Sequence, residues 1–407
     1  MDNDYRKKLL SLGVYFGNKD FNFKSLNKEF KEQLEGNVGT NSLGEFFYTE
    51  QFFQKDYVHG SIRFEDMLGN ELLISLPDSE GSINLMECVF LDTETTGLST
   101  SGGTFAFMVG LGFFENQNFF LRQYFLKDPL EEEAMLLDLE NLLCKFSTLV
   151  TYNGISFDIP ILKSRFKYHR IPNNIAQKSH VDLLKYARML FRYQFESRSL
   201  KSIEANVIQF QRSEDEIPGY MAPIIYQEYL KTNDIGQIQG IFYHNAMDIV
   251  SLAALIKIVN QISLVQGDHF SRYETLNYSI ARQYEKLKNV DNAAKYYLKA
   301  LEQNDLPPEI KLNCLLSLAD LFKKTNKLRE AIMLWEQAST FQNIEALVEI
   351  AKVYEHRYKD YQQAINCCKN ALLILENDVD STYKSFLLQQ IHHRLNRLKT
   401  KVKNEKI

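Results

Sequence analysis

The sequence has few cysteines and pairs none of them at a spacing typical of a metal site. Five occur among 407 residues, at Cys88, Cys144, Cys314, Cys367 and Cys368. Their odd number and scattered positions argue against a zinc site and against a disulfide framework. We interpret them as reduced, buried thiols, as expected in the cytoplasm.

Excess positive charge and a membrane-crossing segment are also missing. The formal net charge is -5, so any surface for a nucleic acid must be a local basic patch. Residues 1–20 carry acidic side chains and only a short apolar run, which is not the pattern of a signal peptide. The other apolar runs are too short, or too interrupted by charge, to span a bilayer. We therefore predict a cytoplasmic protein without a membrane partner.

The chain does have enough apolar material for several cores. Hydrophobic residues make up 45% and charged residues 24%, close to the average soluble protein. Because 407 residues are too many for one core, two or three domains are expected. We predict a β-rich N-terminal extension over residues 1–85, an α/β domain over residues 86–265 and helical repeats over residues 270–407. The extension is expected to cover part of the α/β domain, and we assign it no chemistry.

The middle region alternates strand and helix patterns. Apolar residues of one parity predict a hairpin of Phe105–Phe113 and Phe119–Phe125. A helical period with an acidic first turn predicts a helix over Glu131–Phe146. Further strands are predicted over Cys88–Leu91, Thr148–Tyr152 and His180–Leu183, and further helices over Asp158–Tyr168 and most residues up to Ile262. This order predicts one mixed sheet with helices packed on it.

The C-terminal region repeats a pattern of small and aromatic residues. Two sets share one internal spacing and a third has one extra residue: Ala281, Tyr284, Ala293, Tyr297, Ala300; Ala319, Phe322, Ala331, Trp335, Ala338; Ala351, Tyr354, Ala364, Cys368, Ala371. Small residues let the helices of a hairpin approach closely, and the pattern resembles a degenerate tetratricopeptide repeat. The alternative is an ordinary helical bundle. A final helix is predicted over Ser381–Lys401, and the stack offers a surface for a protein partner.

Three short acidic motifs lie in the middle region. Asp92 and Glu94 are two apart at the end of an apolar strand, so they point the same way. Asp158 follows a strand and a turn and begins a helix, where it could equally be an N-cap. His244 and Asp248 are four apart and share one helix face. Each motif alone has an ordinary structural interpretation.

Together the motifs predict four carboxylates converging in one cleft. Mg²⁺ and Mn²⁺ prefer such oxygen ligands. Two of these ions about 3.5–4 Å apart supply the nucleophile and the charge relief that phosphodiester hydrolysis needs.

These residues resemble the DEDD exonuclease superfamily, which has a ribonuclease-H-like fold. Asp92-Thr93-Glu94-Thr95 resembles its first motif, the Tyr152–Pro160 stretch its second, and Asp248 its last carboxylate. The chain also resembles the bacterial YprB-like family over roughly residues 40–265, and more loosely over the repeats. The resemblance implies an α/β ribonuclease-H-like mixed sheet with flanking helices, followed by an all-α tetratricopeptide-like domain. It also implies a metal-dependent 3′–5′ exonuclease that hydrolyses single-stranded DNA or RNA ends.

The resemblance implies a role for each carboxylate. Asp92 would bridge two divalent cations, Mg²⁺ or Mn²⁺. Glu94 and Asp248 would complete the site that activates water, and Asp158 would act on the second ion.

The residue that orients the attacking water departs from the family pattern. Members use a His or a Tyr at neighbouring positions one turn before the last Asp. Here Tyr243 stands at the position of the His, and His244 at the position of the Tyr. We predict His244 as the general base, because a neutral imidazole accepts a proton near pH 7. Tyr243 is the alternative if the helix starts only after Asn245.

Substrate contacts are predicted on both sides of the cleft. Thr95, Asn153 and Phe157 would lie near the terminal nucleotide, with the Phe ring available for stacking. Arg192 and Arg198 belong to a stretch of basic residues interleaved with aromatics, which suits a nucleic-acid strand. The alternative is a pair of solvated amphipathic helices.

Two other functions remain open from the residues alone. The same carboxylates could serve a structure-selective endonuclease. The nuclease-like domain could also be an inactive scaffold whose repeats bind a partner, although a cluster of like charges around an unused site is electrostatically unfavourable.

Overall fold

The computed structural model describes residues 34–67, 72–76, 79–97, 103–213, 216–263, 273–377 and 382–404, with side chains omitted over residues 72–83. The chain divides into two compact units. The first comprises Met1–Arg188 and Phe195–Asp268, and the second Met189–Gln194 and His269–Ile407. Residues 1–33 of the predicted extension lie outside the described residues.

The first unit is built on a seven-stranded mixed sheet in the order β1-β2-β9-β8-β7-β10-β11. Two short hairpins, β3–β4 and β5–β6, form separate sheets. The strands are β1 (Asn37–Asn41), β2 (Gly44–Phe53), β3 (Val58–His59), β4 (Ile62–Arg63), β5 (Leu72–Leu76), β6 (Ser79–Ile83), β7 (Cys88–Thr95), β8 (Ala106–Glu115), β9 (Asn118–Phe125), β10 (Thr148–Thr151) and β11 (Ser179–Asp182).

The predicted hairpin is β8–β9. Asn116 and Gln117 form its two-residue turn with positive φ angles of 47° and 70°, which match the twist of an antiparallel pair. Strand β2 pairs antiparallel with β9, so the described part of the N-terminal extension continues the sheet rather than only covering it.

Helices pack on the sheet, and two of them carry Asp158, His244 and Asp248. Their bounds are α1 (Glu132–Leu143), α2 (Asp158–His169), α3 (Leu183–Leu190), α4 (Leu200–Ile203), α5 (Ala222–Thr232) and α6 (Ile238–Ser263). A buried ion pair joins α1 to α2, because Arg165 donates from Nε and Nη2 to Glu132 at 2.6 and 2.5 Å.

Helix α6 packs against the sheet through mostly apolar residues, with Asn245 and Ser251 as fully buried polar exceptions. Among the described residues, its segment Ile238–Ile262 is long and apolar enough to cross a membrane. The expectation that the apolar runs are too short, or too interrupted by charge, was therefore wrong for this helix. Of the most apolar stretch of that segment, 78% is buried within the protein, as expected of a core helix.

The second unit is all-helical. Its helices are α7 (Leu276–Lys286), α8 (Val290–Leu301), α9 (Pro308–Lys324), α10 (Leu328–Ser339), α11 (Ile344–Val353), α12 (Tyr361–Asn377) and α13 (Thr382–Asn404), and each packs on the next along the chain. The small residues of the repeated pattern are all buried, including Ala281, Ala319 and Ala351. That the helices are tetratricopeptide-like stays a prediction.

The cysteines are unpaired but not uniformly buried. Cys88, Cys314 and Cys368 are buried, whereas Cys367 is half-buried and Cys144 is exposed. The expectation of buried thiols was therefore wrong for Cys144.

Candidate active site

The site lies beside β7, an inner strand of the sheet, where β7 runs past its parallel neighbour. Strand β10 pairs only with Cys88–Phe90, so the later residues of β7 are hydrogen-bonded on the β8 side alone. Asp92 and Glu94 lie in this overhang and point toward α6. The gap that β10 leaves is the kind of crevice at strand ends in which α/β proteins bind ligands.

Asp92 is held by the core helix. Asn245 of α6 is fully buried and donates from Nδ2 to Asp92 Oδ2 at 2.9 Å, while Gln123 of β9 donates to Asn245 Oδ1 at 2.9 Å. Gly110 pairs with Asp92 across the sheet, and a Cβ there would lie 2.2 Å from Asn245 Oδ1. A glycine is therefore needed for α6 to approach β7 closely enough to bind Asp92.

Asp158 enters the site from the first turn of α2. It is 5% exposed, and Thr93 of β7 donates to its Oδ1 at 2.5 Å. Asp182 at the end of β11 shapes the preceding turn, because it accepts from the backbone N–H groups of Asn153 and Ile155 at 2.8 and 3.2 Å. Asn153 has a φ of 67°, a left-handed conformation that Asn tolerates well.

The carboxylates are close enough to repel one another. Burial raises the pKa of Asp92 well above its usual range, and the charges of Asp248, Asp158 and Glu94 raise it further. Burial and the charges of Asp248 and Asp158 likewise raise the pKa of Glu94. Burial also raises the pKa of Asp158 to about 6, although the hydrogen bond from Thr93 opposes it. Burial and mutual repulsion thus disfavour ionisation of the cluster, and a bound cation would offset both and favour the charged forms.

Asp248 is paired with an arginine that the sequence analysis did not include. Arg212 donates from Nη2 to Asp248 Oδ1 and from Nη1 to Glu216. It also donates to both oxygens of Glu204, at 2.7 and 2.5 Å. Burial alone would lower the pKa of Arg212, but Asp248 and Glu204 outweigh it and raise it, so the guanidinium remains charged.

His244 faces the carboxylates, whereas Tyr243 does not. Nε2 of His244 lies 3.8 Å from Glu94 Oε1 and 3.7 Å from Asp248 Oδ2, and its Nδ1 lies 2.7 Å from Glu216 Oε1. Nη1 of Arg212 also lies 3.2 Å from Nδ1. We assign the proton to Nδ1 because the contact with the Glu216 carboxylate is the shorter one and that carboxylate can only accept, which leaves Nε2 as an acceptor. Tyr243 is 39% exposed. Because α6 begins at Ile238, before Asn245, the geometry favours His244 over Tyr243.

The four carboxylates do not stand as an open metal cluster. Within the described residues, no group of three or more His, Cys, Asp or Glu side chains is arranged to hold a metal ion. Three of the four are instead turned to protein partners, with Asp92 on Asn245, Asp158 on Thr93 and Asp248 on Arg212. The donor set nonetheless fits a hard divalent cation, because it is all oxygen, largely buried and mutually repulsive.

The predicted substrate residues fall into two groups. Thr95 is buried and donates its hydroxyl to Gly97 O at 2.9 Å, while Asn153 and Phe157 are half-buried on the turn before α2. Arg198 belongs to the first unit, where its guanidinium donates to the carbonyls of Phe195 and Glu196.

The other predicted arginine lies in a different unit. Arg192 is exposed and lies over the ring of Tyr193, at 5.9 Å, in the second unit. The predicted basic stretch is thus not one surface of a single unit.

Sequence reasoning missed Asn245, Arg212, Glu216 and Glu204. Asn245 could have been found, because it lies three residues, or about one helical turn, before Asp248 and so shares a side of α6 with it. Glu204 begins the π-helical turn Glu204–Ile208 directly after α4, and Arg212 and Glu216 lie in irregular backbone before α5, where the sequence has no period or motif. Their pairing with α6 depends on tertiary contacts.

Comparisons with known proteins identify the family of the domain that carries these residues. Residues 89–260 match the model of the RNase H superfamily (RNase_H_2), and that segment includes Asp92, Glu94, Asp158 and Asp248. The chain is 30% identical over 356 residues to the uncharacterized protein YprB of Bacillus subtilis (strain 168), which is 84% of this chain and 83% of that protein. The predicted fold and family resemblance are confirmed.

Proposed function

Because this chain belongs to the YprB family and carries an RNase H superfamily domain, we propose that it is a metal-dependent 3′–5′ exonuclease. The observation that carries the proposal is the convergence of Asp92, Glu94, Asp158 and Asp248, whose charges act on one another from three separate elements. Its substrates would be single-stranded DNA or RNA ends.

The carboxylates would hold two Mg²⁺ or Mn²⁺ ions. Asp92 and Glu94 of β7 would share them with Asp158 and Asp248. Such ions, when bound, lower the pKa of water and neutralise charge on the phosphate. Hydrogen bonds from Asn245 and Thr93 fix Asp92 and Asp158 before any ion arrives, which favours a preorganised site.

His244 would act as the general base. Glu216 accepts a hydrogen bond from the Nδ1–H group of His244. The proton of the neutral ring is therefore on Nδ1, and Nε2 can take a proton from the attacking water. The imidazole is also 17% exposed, which gives water access to the carboxylates.

The terminal nucleotide would lie against the turn before α2. Phe157 offers a ring for stacking, and Asn153 offers an amide for hydrogen bonding. Thr95 is committed to Gly97, so its contribution would be to hold the end of β7.

The direct test is digestion of end-labelled strands. Purified protein with Mn²⁺ or Mg²⁺ is incubated with single-stranded DNA and RNA labelled at the 5′ end or at the 3′ end. A 3′–5′ exonuclease shortens the 5′-labelled strand stepwise and releases the 3′ label at once as a mononucleotide. Asp92→Asn should abolish both, whereas Asp138→Asn, which changes a carboxylate bonded to Tyr124 away from the site, should retain them.

Other outcomes would contradict the proposal. Internal cuts that leave both labels on long fragments would indicate a structure-selective endonuclease. No cleavage of either substrate with either metal would indicate an inactive scaffold that binds a partner through its helices.

A further inference from the structure

Arg212 lies inside the candidate site, among acidic side chains. Its side chain is 4% exposed, and those of Glu204 and Glu216 are 1% and 4% exposed. One guanidinium contacts both of these and Asp248. It therefore stands where positive charge is needed to stabilise the carboxylate cluster.

The two sides of the guanidinium are bound differently. Glu204 is held with two parallel hydrogen bonds, and Ser251 of α6 also donates to it. Asp248 receives one hydrogen bond from Arg212, and its side chain is 16% exposed. The Glu204 side is thus an anchor, and the Asp248 side is the one that a cation from solvent can replace.

One carboxylate, Asp248, would have to bind both Arg212 and a divalent cation. The guanidinium already donates to Oδ1 of Asp248, so while that contact lasts an ion could bind only through the other oxygen, Oδ2. A second positive charge at this distance would also be repelled by the arginine. The side chain must therefore move off Asp248, or an ion there binds weakly.

Resting on the proposed function, we propose that Arg212 is a built-in counter-ion that occupies Asp248 in the metal-free protein and competes with divalent cations there. A cation displaces the guanidinium from Asp248, while Glu204 and Glu216 keep the arginine nearby. This competition accounts for the orientation of Asp248 toward Arg212. It also keeps the buried carboxylates compensated when no metal is present.

The test is Mn²⁺ binding by calorimetry to the full-length Arg212→Gln variant. Removing the competing charge should lower the Kd for Mn²⁺ by at least about tenfold relative to the wild-type protein. Mn²⁺ should also raise the Tm of the variant by more than it raises that of the wild type, because tighter binding stabilises the folded state more.

Arg165→Gln is the matched control. Arg165 is also 4% exposed and also binds a nearly fully buried glutamate, Glu132, with two hydrogen bonds. It should lower stability in a comparable way and leave the Kd for Mn²⁺ unchanged. A tenfold change in both variants would mean that loss of any buried arginine produces the effect, which would overturn the inference.

Arg212→Lys gives a second route if the glutamine variant does not fold. Lysine keeps the charge but lacks the fork that spans Glu204 and Asp248 together, so its Kd should lie below that of the wild type. A Kd equal to or above the wild-type value in either variant overturns the competition. If the wild-type protein binds no Mn²⁺, or Asp92→Asn binds it equally well, the proposed function fails as well.

Discussion

His244 owes its orientation to a carboxylate from another part of the chain. Glu216 lies 28 residues before it and binds its Nδ1, and Gly219 leaves room for the ring, since a Cβ there would lie 3.0 Å from Nε2. The imidazole is therefore fixed before substrate binds, which is what a general base requires.

We expect His244→Ala to lower turnover roughly 10²–10⁴-fold, because the positioned proton acceptor is lost. Mn²⁺ affinity should change little, because the four carboxylates remain. Single-turnover cleavage of a labelled strand, together with calorimetry, measures both quantities.

Tyr243→Ala is the control for this prediction. Tyr243 is exposed and lies on the neighbouring position of the same helix, so its loss should leave turnover near the wild-type rate. If Tyr243→Ala is the slow variant and His244→Ala is normal, the two roles are reversed.

At the residue scale, the sequence predicts the acidic positions but not their partners. Local patterns reveal these positions. Apolar strand segments precede Asp92, Glu94 and Asp158, and Asp248 lies one helical turn after His244. Arg212 has no such pattern. It meets Asp248 only because the chain between α4 and α6 folds back on the helix.

Among the elements, β7 and α6 decide the geometry of the site. Gly110 and Gly112 of β8 lack side chains where α6 crosses, and a Cβ on either would lie 2.1 or 2.5 Å from atoms of Ile249. Close contact between the helix and the sheet depends on this pair of glycines.

Gly110→Ala should destabilise the protein by about 1–3 kcal/mol, the usual effect of overpacking a core. It should also lower activity, because Asn245 is pushed away from Asp92. Gly97→Ala is the stability control, since its Cβ would lie 3.7 Å from the nearest atom, Thr104 Oγ1. Urea unfolding compares the three proteins, and equal stability of all three would show that α6 does not need the space.

In the second unit, one buried glutamate attaches α13. Glu355 follows α11 and is fully buried, and it accepts hydrogen bonds from Arg394, Arg397 and Lys401 at 2.7–2.9 Å. Burial alone would raise the pKa of Glu355, but the hydrogen bonds from Arg397 and Lys401 outweigh it and lower the pKa to about 2.

Because the pKa is lowered on folding, Glu355 stabilises the unit fully above its unfolded pKa of about 4.3. That contribution should be lost as the pH falls from there toward about 2. Glu355→Gln should remove roughly 1–3 kcal/mol at neutral pH, since three cations lose their partner. Amide hydrogen exchange of α13 measures the change.

Glu349→Gln serves as the comparison. Glu349 pairs with Lys323 and Lys352 but is 21% exposed, so its loss should alter stability by less than about 1 kcal/mol. Equal effects of the two substitutions would show that burial of Glu355 adds nothing to the attachment of α13.

At the element scale, patterns in the sequence predict the hairpin, α1, α2 and the buried small residues of the second unit. They do not predict that β2 adds to β9, because that pairing joins distant residues, from Phe53 with Phe119 to Phe47 with Phe125, through backbone groups. Backbone hydrogen bonds do not depend on side-chain type, so neither segment shows which distant strand it pairs with or in which register.

For the whole molecule, the two predicted arginines belong to different units, so each is a separate candidate for contact with a nucleic acid. Arg198 is in the first unit and Arg192 is in the second. The net charge of -5 gives no general attraction, so such contacts would have to be local.

Arg192→Glu should weaken binding of single strands and flatten its salt dependence by about one phosphate contact. Arg192 is exposed with its ring contact to Tyr193, so the substitution should leave folding intact. Fluorescence anisotropy at several salt concentrations gives the slope, and a slope equal to that of the wild type would exclude Arg192 from the interface.

Everything proposed for this protein depends on paired divalent cations bound by carboxylates from β7, α2 and α6. The most direct measurement is anomalous diffraction from a crystal of the protein soaked in Mn²⁺. We predict two peaks about 3.5–4 Å apart, ligated by Asp92, Glu94, Asp158 and Asp248, with Arg212 moved off Asp248. No peak at these residues, or manganese bound elsewhere on the chain, would contradict the account.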